Sequence, residues 1–591
     1  MPYRNSPSPP PLFALLSLIP FISALTAYYA VRDALLATYL VVGMTAFLVL
    51  AKIPEESEDI VYLLAISCVS LSLFLVTELA SPYIIGFDMP LEFYIFGQAL
   101  MSSHWQPIIG IGNTSVFSSL LSITVLPVII SIESSIDGTL IFKFLFPILY
   151  SMVPLILYKV YRQFLGPSAA FLSAFIFMID PTFYTEMLQL GRQMIAEIFL
   201  ALLLLIAISK RKQSKTYSGA LLTLVLSLGI ITAHDSIAYV FLLLMLASLL
   251  MSTISSRVER LWNSGILLAW LVLMVTWFLL VTGGAAVVDL ATNLSGVWIG
   301  ITNDLLNPAS RPAIVQNALF LSASTPGILH VLSRVSQYAA VASIVIGFLV
   351  FLSKKRKSVA ERQLIPVMIA SIGMLFAAVA VPFFGAILNF SRFFHIALIF
   401  LSPCFFIGGQ SVVSALRRIA PPRIQVRAID ARILLASLMF LYFIFTSGWV
   451  WAVTQDPLPT SVALDAQRMK DSTNLSFVLG YYNWYRAPQD VAAAYWLKDY
   501  GSPTQPVCAS LQGIGGPLVT YGGRDINNPN LAYSFEKGTC EFSQNEYVYF
   551  SEFNALYHAY GLETPISISE ISTRVTMEDR VYSGVAIVYS S

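Results

Sequence analysis

Long apolar stretches alternate with short polar segments over the first 453 residues of the chain. A helix of roughly 20 apolar residues crosses the ~30 Å hydrocarbon core of a bilayer. On this length criterion the pattern predicts about thirteen membrane-spanning helices. They lie at residues 12–31, 33–51, 60–80, 139–158, 167–180, 193–209, 217–233, 236–252, 262–281, 335–353, 364–388, 393–411 and 433–453.

One further apolar segment, residues 120–132, decides the topology. If it does not cross the membrane, twenty lysines and arginines fall on one side of the membrane region and six on the other. Because cytoplasmic loops carry an excess of these residues, we expect this segment to lie along the outer interface or to re-enter. The N-terminus is then cytoplasmic and Asp88 faces outside. The six outer cationic residues are Arg32, Lys143, Arg192, Arg311, Arg334 and Arg392.

The pattern changes after Trp451, where the chain becomes polar and rich in Gly, Asn, Ser and Tyr. Residues 489–500 predict an amphipathic helix, and residues 507–510, 546–550 and 581–589 predict short strands.

Two domains follow from this change of pattern. We predict a transmembrane domain over residues 1–453, in which the outer loop 81–138 carries an acidic motif. An α/β domain outside the cell is predicted over residues 454–591.

Composition supports a polytopic membrane protein. Hydrophobic residues make up 57% of 591 positions and charged residues 11%, against about 25% charged residues in soluble domains. The net charge is +1, and no basic cluster is interleaved with aromatic residues, so we expect no nucleic-acid partner. The four cysteines show no zinc-binding spacing. Cys508 and Cys540 could pair if their region is outside the cell, and the sequence leaves this open.

Asp88 and Glu92 are the most informative pair of residues. They lie in Gly86-Phe87-Asp88-Met89-Pro90-Leu91-Glu92, just beyond an apolar stretch. If the chain is helical from Leu91, the i, i+4 spacing places both acids near one face of the helix start. Ionisable groups at a bilayer edge often mark a reaction or transport site. The alternative is an ordinary solvated loop.

Arg192 and Arg392 each stand where the chain enters an apolar stretch. An arginine fork suits a phosphate at the depth of lipid headgroups. The alternative is a snorkelling arginine that only contacts phospholipid. We weigh the two interpretations equally for Arg392 and prefer the snorkelling one for Arg192 and Arg334.

His234 and Asp235 occupy a tight outer turn. A histidine beside an aspartate could transfer protons or bind a metal, but we prefer the interpretation that they cap the turn. The same applies to Asp180 and Glu186 in the neighbouring outer loop.

No nucleotide-binding or hydrolase motif occurs in a suitable context, so the chemistry is expected outside the cell, where no nucleotide-sugar pool exists. A transferase there needs an activated donor delivered by the membrane, such as a sugar on a polyprenyl phosphate. The protein must supply a base for the acceptor hydroxyl and cations for the departing phosphate. Asp88 fits the first role and Arg392 the second.

Several motifs resemble the GT-C superfamily of integral-membrane glycosyltransferases, and most of all its archaeal members with two extra N-terminal spans and an outer C-terminal domain. They are Gly86-Phe87-Asp88 with Glu92, Trp105-Gln106-Pro107, the apolar segment 115–133, residues 142–167, Asp180-Pro181-Thr182 and Gly191-Arg192-Gln193. The resemblance covers residues 86–200 well and the rest loosely.

The resemblance implies an inverting glycosyltransferase with Asp88 as the catalytic base and Glu92 as a supporting acid or metal ligand. By the same resemblance Arg392 would contact the lipid phosphate. Further candidates for substrate binding are Arg192, His234, Asp235 and Trp105. The acids are separated by three residues rather than adjacent, which puts Glu92 in doubt. The C-terminal region has no WWD-type triplet, so an oligosaccharyltransferase is not expected. Use of a divalent metal ion stays open.

The favoured function is therefore a plasma-membrane enzyme that moves a sugar from a polyprenyl-phosphate donor to a glycan, lipid or protein outside the cell. One alternative is a transporter or flippase for lipid-linked saccharides. Transporters keep charges near the bilayer midplane, whereas charges here cluster at the outer ends of the spans. The other alternative is a non-catalytic assembly subunit.

Overall fold

The structure is a computed structural model of the chain. It describes residues 10–29, 32–52, 59–102, 104–107, 113–209, 217–312, 315–316, 327–419, 430–456, 461–525, 528, 532–540, 542, 546–561, 564–569 and 579–590. Part of the predicted outer loop (residues 103 and 108–112) therefore lies outside the described residues. So do several of the basic residues assigned to the cytoplasmic side, namely Arg4, Lys210, Arg211, Lys212, Lys215, Arg423 and Arg427.

Helices make up most of the described chain before residue 455. They are α1 (Pro10–Tyr28), α2 (Arg32–Lys52), α3 (Asp59–Glu78), α4 (Met89–Ser102), α5 (Asn113–Ser118), α6 (Val125–Ser134), α7 (Gly138–Leu140), α8 (Phe146–Tyr150), α9 (Val153–Tyr161), α10 (Pro167–Met178), α11 (Pro181–Tyr184), α12 (Gly191–Ile208), α13 (Tyr217–Ala233), α14 (Asp235–Ile254), α15 (Ser264–Thr276), α16 (Ala285–Asn303), α17 (Ile328–Ser353), α18 (Val359–Ala380), α19 (Phe390–Ile419), α20 (Ala431–Thr446) and α21 (Trp449–Thr454). Short π-helical turns at Ile141–Leu145 and Trp277–Val281 extend α7 into α8 and lengthen α15.

Ten helical stretches of the described chain are long and apolar enough to cross a membrane, or eleven if the bent pair Pro167–Met178 and Pro181–Gln189 is one span. The predicted multi-spanning helical fold is confirmed, but the predicted number of spans differs. Three predicted spans correspond to shorter apolar helices, at Leu16–Tyr28, Ser218–Ala233 and Ala431–Thr446. One stretch not predicted to span, Ala285–Asn303, is long enough. The prediction missed it because Asp289, Thr292 and Asn293 interrupt its apolar pattern.

The segment whose crossing was in question forms α6, only ten residues long. At a rise of about 1.5 Å per residue, such a helix is roughly half the thickness of the hydrocarbon core. Its length therefore agrees with the prediction that this segment does not cross the membrane.

Glycines bring α17 and α19 into direct backbone contact. A Cβ added at Gly347 would overlap the carbonyl of Cys404, and one added at Gly408 would overlap the carbonyl of Ser343. Small residues one turn apart let membrane helices approach this closely. The contact fixes α19, which carries Arg392 and His395 at its start.

Residues beyond 460 form a small α/β unit. Its helices are α22 (Ala466–Lys470), α23 (Leu475–Trp484), α24 (Pro488–Tyr500), α25 (Leu511–Gly513, extended by a π turn at Ile514–Leu518) and α26 (Glu552–Tyr557). Its strands are β1 (Val507–Ala509), β2 (Ala532–Ser534), β3 (Tyr547–Phe550), β4 (Ala559–Tyr560), β5 (Ile566–Ser567), β6 (Asp579–Ser583) and β7 (Ile587–Ser590).

Five of these strands make one sheet in the order β2-β1-β3-β7-β6. β1 pairs in parallel with β2 and β3, and β7 pairs antiparallel with β3 and β6. The small α/β unit is confirmed, but the single strand predicted at 581–589 was wrong. Ser583 and Gly584 end β6 before the chain turns into β7, so this stretch is a hairpin. Cys508 and Cys540 form a disulfide.

Candidate active site

Asp88 ends an irregular segment between α3 and α4 and starts the latter helix. Its carbonyl accepts hydrogen bonds from the amides of Leu91 and Glu92, each at 3.1 Å. Its side chain is 31% exposed, whereas that of Glu92, one turn later, is fully buried. The i, i+4 spacing thus gives the two carboxylates a common face but different access to solvent.

Arg192 joins the two carboxylates. Its Nη2 donates to Oδ2 of Asp88 at 2.9 Å, and its Nη1 donates to Oε1 of Glu92 at 2.7 Å. Oε2 of Glu92 accepts from the Arg192 amide at 3.3 Å, at the N-terminus of α12, where the helix dipole favours a negative charge. The preferred snorkelling interpretation of Arg192 was wrong, because its side chain is only 8% exposed and is held by two acids. The acids that hold it are 100 and 104 positions away in sequence.

Arg392 reaches the same aspartate from α19. Its Nη2 lies 3.6 Å from Oδ2 of Asp88, and its Nε lies 3.8 Å from Oε2 of Glu186. Two guanidinium groups from different helices therefore converge on one carboxylate oxygen. The longer contacts of Arg392 leave it less tightly bound than Arg192.

A polar cavity of about 280 Å³ lies beside these residues. Arg192, Arg392, His234, Asp235 and Asp289 line it together with Thr292, Asn293 and apolar neighbours. Phe117 forms part of the wall, and the Arg192 guanidinium stacks on its ring at 3.9 Å. The cavity thus places two arginines beside the carboxylates of Asp235 and Asp289 and several hydrogen-bonding groups, and the arginine forks can bind an anion there.

His234 both caps α14 and lines this cavity. Its Nδ1 lies 3.1 Å from the Ser236 amide and 3.2 Å from Oδ1 of Asp235, and its Nε2 has no hydrogen-bond partner among the described residues. Burial lowers the pKa of His234 and outweighs the opposing effect of Asp235, so the ring is neutral at pH 7. The predicted cap is present, and the same side chain lines the cavity.

The two acids of the pair differ in protonation. Burial by itself would raise the pKa of Asp88, but the charges of Arg192 and Arg392 outweigh burial and hold it below its usual value. Burial raises the pKa of Glu92 to about 7 despite Arg192, and the negative charge of Asp88 adds to the rise. At neutral pH Asp88 is therefore ionised, while Glu92 is protonated in part of the molecules.

The guanidinium of Arg192 occupies the space between the two carboxylates and bonds both. Among the described residues, the one trio of suitable ligands within metal-binding distance is Cys508, Cys540 and Glu546, and its cysteines are joined in a disulfide.

A second, fully buried network lies next to the arginines and escaped the sequence analysis. His395, one turn after Arg392, lies between two acids, with Nδ1 at 3.4 Å from Asp180 and Nε2 at 3.3 Å from Glu197. Tyr150 donates to Glu197 at 2.7 Å. The sequence did contain a signal for this network. Glu197 and His395 both stand within apolar stretches, where ionisable side chains require buried partners.

Trp105 is not brought to the carboxylates by any described contact. Its Nε1 donates to the carbonyl of Ser118 at 3.0 Å, and its ring stacks on Trp277 with centroids 6.1 Å apart. It therefore fastens the loop after α4 to α5 and to the end of α15, next to the Phe117 wall of the cavity.

The apolar helices, the few buried charges and the small sheet define a multi-pass membrane protein. The chain belongs to the family described as "Predicted membrane protein (DUF2206)", which matches residues 219–591. The match includes His234, Arg392 and the C-terminal α/β unit, whereas Asp88, Glu92 and Arg192 precede it. No functionally curated protein matches the chain.

Solved structures similar to this chain are membrane glycosyltransferases. The apo oligosaccharyltransferase of Archaeoglobus fulgidus is 14% identical, with a TM-score of 0.48, and the match covers 85% of this chain and 70% of that one. The A. fulgidus oligosaccharyltransferase AglB in complex with an inhibitory peptide and a dolichol-phosphate is 14% identical, with a TM-score of 0.45. That match covers 90% of this chain and 74% of the other. The mycobacterial arabinofuranosyltransferase AftD is 12% identical, with a TM-score of 0.43, and the match covers 90% of this chain and 41% of the other.

Proposed function

We propose that this protein is a membrane glycosyltransferase that moves a sugar from a polyprenyl-phosphate donor to a glycan, lipid or protein acceptor, with Asp88 as the general base. One observation carries the proposal. A partly exposed, ionised aspartate is held by two arginines beside a polar cavity, at the end of otherwise apolar helices.

The arginines are suited to bind the phosphate of the donor. Arg392 has only long contacts to its carboxylate partners, so its guanidinium can rotate onto phosphate oxygens. In the reaction the acceptor hydroxyl gives its proton to Asp88, and its oxygen bonds the anomeric carbon of the sugar. The bond from that carbon to the phosphate oxygen breaks, and the arginines stabilise the charge left on the phosphate.

Donor binding would also strengthen the base. In the free protein the arginines hold the pKa of Asp88 low, and a low pKa makes a carboxylate a weak base. A bound phosphate neutralises part of their positive charge, so the pKa of Asp88 rises when the donor is in place. The base is therefore strongest when a sugar is present to be transferred.

We further propose that Asp88 and the C-terminal region face the outside of the cell. Two features support this orientation: the bias of lysines and arginines along the chain and the Cys508–Cys540 disulfide, which is typical of oxidising compartments.

Purified protein tests the proposal through release of polyprenyl phosphate from a panel of polyprenyl-phospho-sugars with candidate acceptors. Asp88→Asn is compared with Asp499→Asn, an exposed acid of α24. We expect Asp88→Asn to lower the rate by about 10²–10⁴-fold with donor binding retained, and Asp499→Asn to leave it unchanged. Equal rates in all proteins would remove Asp88 from the mechanism. Donor binding without release by the wild type would favour a transporter or assembly subunit.

A further inference from the structure

The segment that leads to Asp88 is held by the C-terminal region of the chain. Residues 81–88 have no regular secondary structure, so their backbone groups need partners elsewhere. The amide of Ile84 donates to the Tyr521 hydroxyl at 2.9 Å, and the amide of Gly86 donates to the Trp484 carbonyl at 3.0 Å. The Gly86 carbonyl accepts from Nη2 of Arg486.

A fourth hydrogen bond to this segment comes from the membrane region. The Phe87 amide donates to Oε1 of Gln189 at 2.8 Å, and the Phe87 ring meets Trp484 edge-on with centroids 6.4 Å apart. Gly86 has a φ of +82°, and a Cβ there would overlap the Gln189 side chain. The chain therefore turns sharply between two anchors, two residues before Asp88.

Arg486 is the least ordinary of these anchors. It is 5% exposed, its Nη1 donates to the carbonyl of Asn483 at 2.8 Å, and burial lowers its pKa to about 10. No carboxylate lies within ion-pair distance of it in the described part of the chain. A buried cation without a paired anion is costly, so an arginine at this position needs a reason beyond stability.

The surroundings of Arg486 leave just enough space for its guanidinium. A Cβ added at Gly516 would lie 3.1 Å from its Cζ. The planar fork can bond the end of α23 with one nitrogen and Gly86 with the other. Lysine, a point donor on a flexible stem, cannot hold both carbonyls in the same way.

We propose that Arg486 is a positioning residue that fixes Asp88 against Arg192 and Arg392, so that the C-terminal region completes the active site formed by the membrane helices. This proposal rests on the proposed function for its catalytic consequence, but the anchoring of residues 81–88 is testable without any substrate. Asp88 is held between two fixed points, the Gly86 anchor and the first turn of α4. Loss of the Gly86 anchor lets the Asp88 carboxylate move away from Arg192 and Arg392.

The test compares Arg486→Gln, Arg486→Lys and Gly516→Ala in the full-length protein, with Arg524→Gln as a matched control. Arg524 is also a buried arginine (4% exposed), but its carbonyl partners, at Ser502, Pro503 and Gln505, lie within the C-terminal region. Gly516→Ala crowds the guanidinium while keeping its charge, which covers the case in which Arg486→Gln does not fold.

Hydrogen exchange of residues 81–88 is the first measurement. We expect exchange about tenfold faster in Arg486→Gln and Gly516→Ala, smaller changes in Arg486→Lys, and none in Arg524→Gln. Unchanged exchange in both Arg486→Gln and Gly516→Ala, or an equal change in Arg524→Gln, would overturn the proposal.

The second measurement separates kcat from KM with a donor that the wild type uses. We expect kcat to fall by about tenfold or more in Arg486→Gln, with donor KM within about threefold, because a misplaced base slows the chemistry but leaves the phosphate contacts in place. A rise in KM with kcat unchanged would refute a positioning role. The two proposals can fail separately. If exchange of residues 81–88 is faster in the variants but the wild type transfers sugar from no donor, the anchoring role of Arg486 is supported and only the proposed function is overturned.

Discussion

Nη2 of Arg192 lies 2.9 Å from Oδ2 of Asp88. This ion pair decides how the candidate base behaves, because it holds the carboxylate in place and lowers its affinity for a proton. In the proposed mechanism, Asp88 is thus restrained by Arg192 until another anion competes for the arginine.

Removal of Arg192 should shift the pH dependence of transfer. Among the charges that lower the pKa of Asp88, that of Arg192 has the largest effect, so Arg192→Gln raises that pKa, and Asp88 becomes protonated at a higher pH. We expect the acid limb of the kcat/KM profile to move to higher pH in the variant. The limb is measured between pH 4 and pH 8, with Arg334→Gln as a control, and a shift in the acid direction would contradict this account.

Arg392 is expected to act on the leaving phosphate. Removing one preorganised cation that stabilises a developing charge lowers kcat by about 10²-fold, so Arg392→Gln should lose about this much activity. Arg392→Lys should recover part of it, because the charge is kept and the fork is lost. Steady-state rates of polyprenyl phosphate release measure both variants; full activity of Arg392→Gln would remove it from the site.

Glu92 should make stability depend on pH. Its pKa is raised to about 7 in the folded protein, so the folded state binds more protons than the unfolded one between the ordinary glutamate value and pH 7. Its contribution to stability is therefore present at low pH and lost as the pH rises through 7.

Thermal unfolding in detergent between pH 5 and 8 can measure this effect. Glu92→Gln should show a smaller decrease of Tm over that interval than the wild type. Asp490 gives the comparison, because burial also raises its pKa to about 7. Asp490→Asn should therefore reduce the decrease of Tm with pH independently of Glu92→Gln. If Tm decreases with pH as much in Glu92→Gln as in the wild type, Glu92 does not have the raised pKa assigned to it.

His395 is expected to support the fold near Arg392. His395→Gln leaves the buried carboxylates of Asp180 and Glu197 without the ring between them, and breaking a buried charge pair in this way costs about 3–5 kcal/mol. A lower Tm than that of the wild type should result, whereas His104→Gln, at an exposed histidine, should have no effect. Equal Tm values for the wild type and His395→Gln would show that the network is not stabilising.

Local pattern was sufficient for much of the fold. The helices, the short α6 and the helix at Pro488–Tyr500 agree with the periodicity of apolar positions, which reflects local geometry. The turn at Ser583–Gly584 was missed because the strands on both sides of it share one apolar pattern. Ala285–Asn303 was missed because the polar residues that it contributes to the cavity, Asp289, Thr292 and Asn293, interrupt its apolar pattern.

The candidate site shows the same division. Asp88, Glu92 and Arg392 stood out because charges are rare in this chain, and rarity can be seen in the sequence. That Arg192 is buried between Asp88 and Glu92 could not be predicted, because the pairing joins residues 100 and 104 positions apart. The network around His395 and the bond from Arg486 to Gly86 likewise depend on contacts across the fold.

The sequence by itself determined that this is a multi-pass helical membrane protein with a small C-terminal α/β unit and a few charges at helix ends, because length, hydropathy and periodicity act locally along the chain. Only the tertiary structure decided which charges meet. Burial and ion pairing depend on the three-dimensional packing of distant helices, and they set the pKa of Asp88, the exposure of Arg192 and the anchoring of residues 81–88 by Arg486.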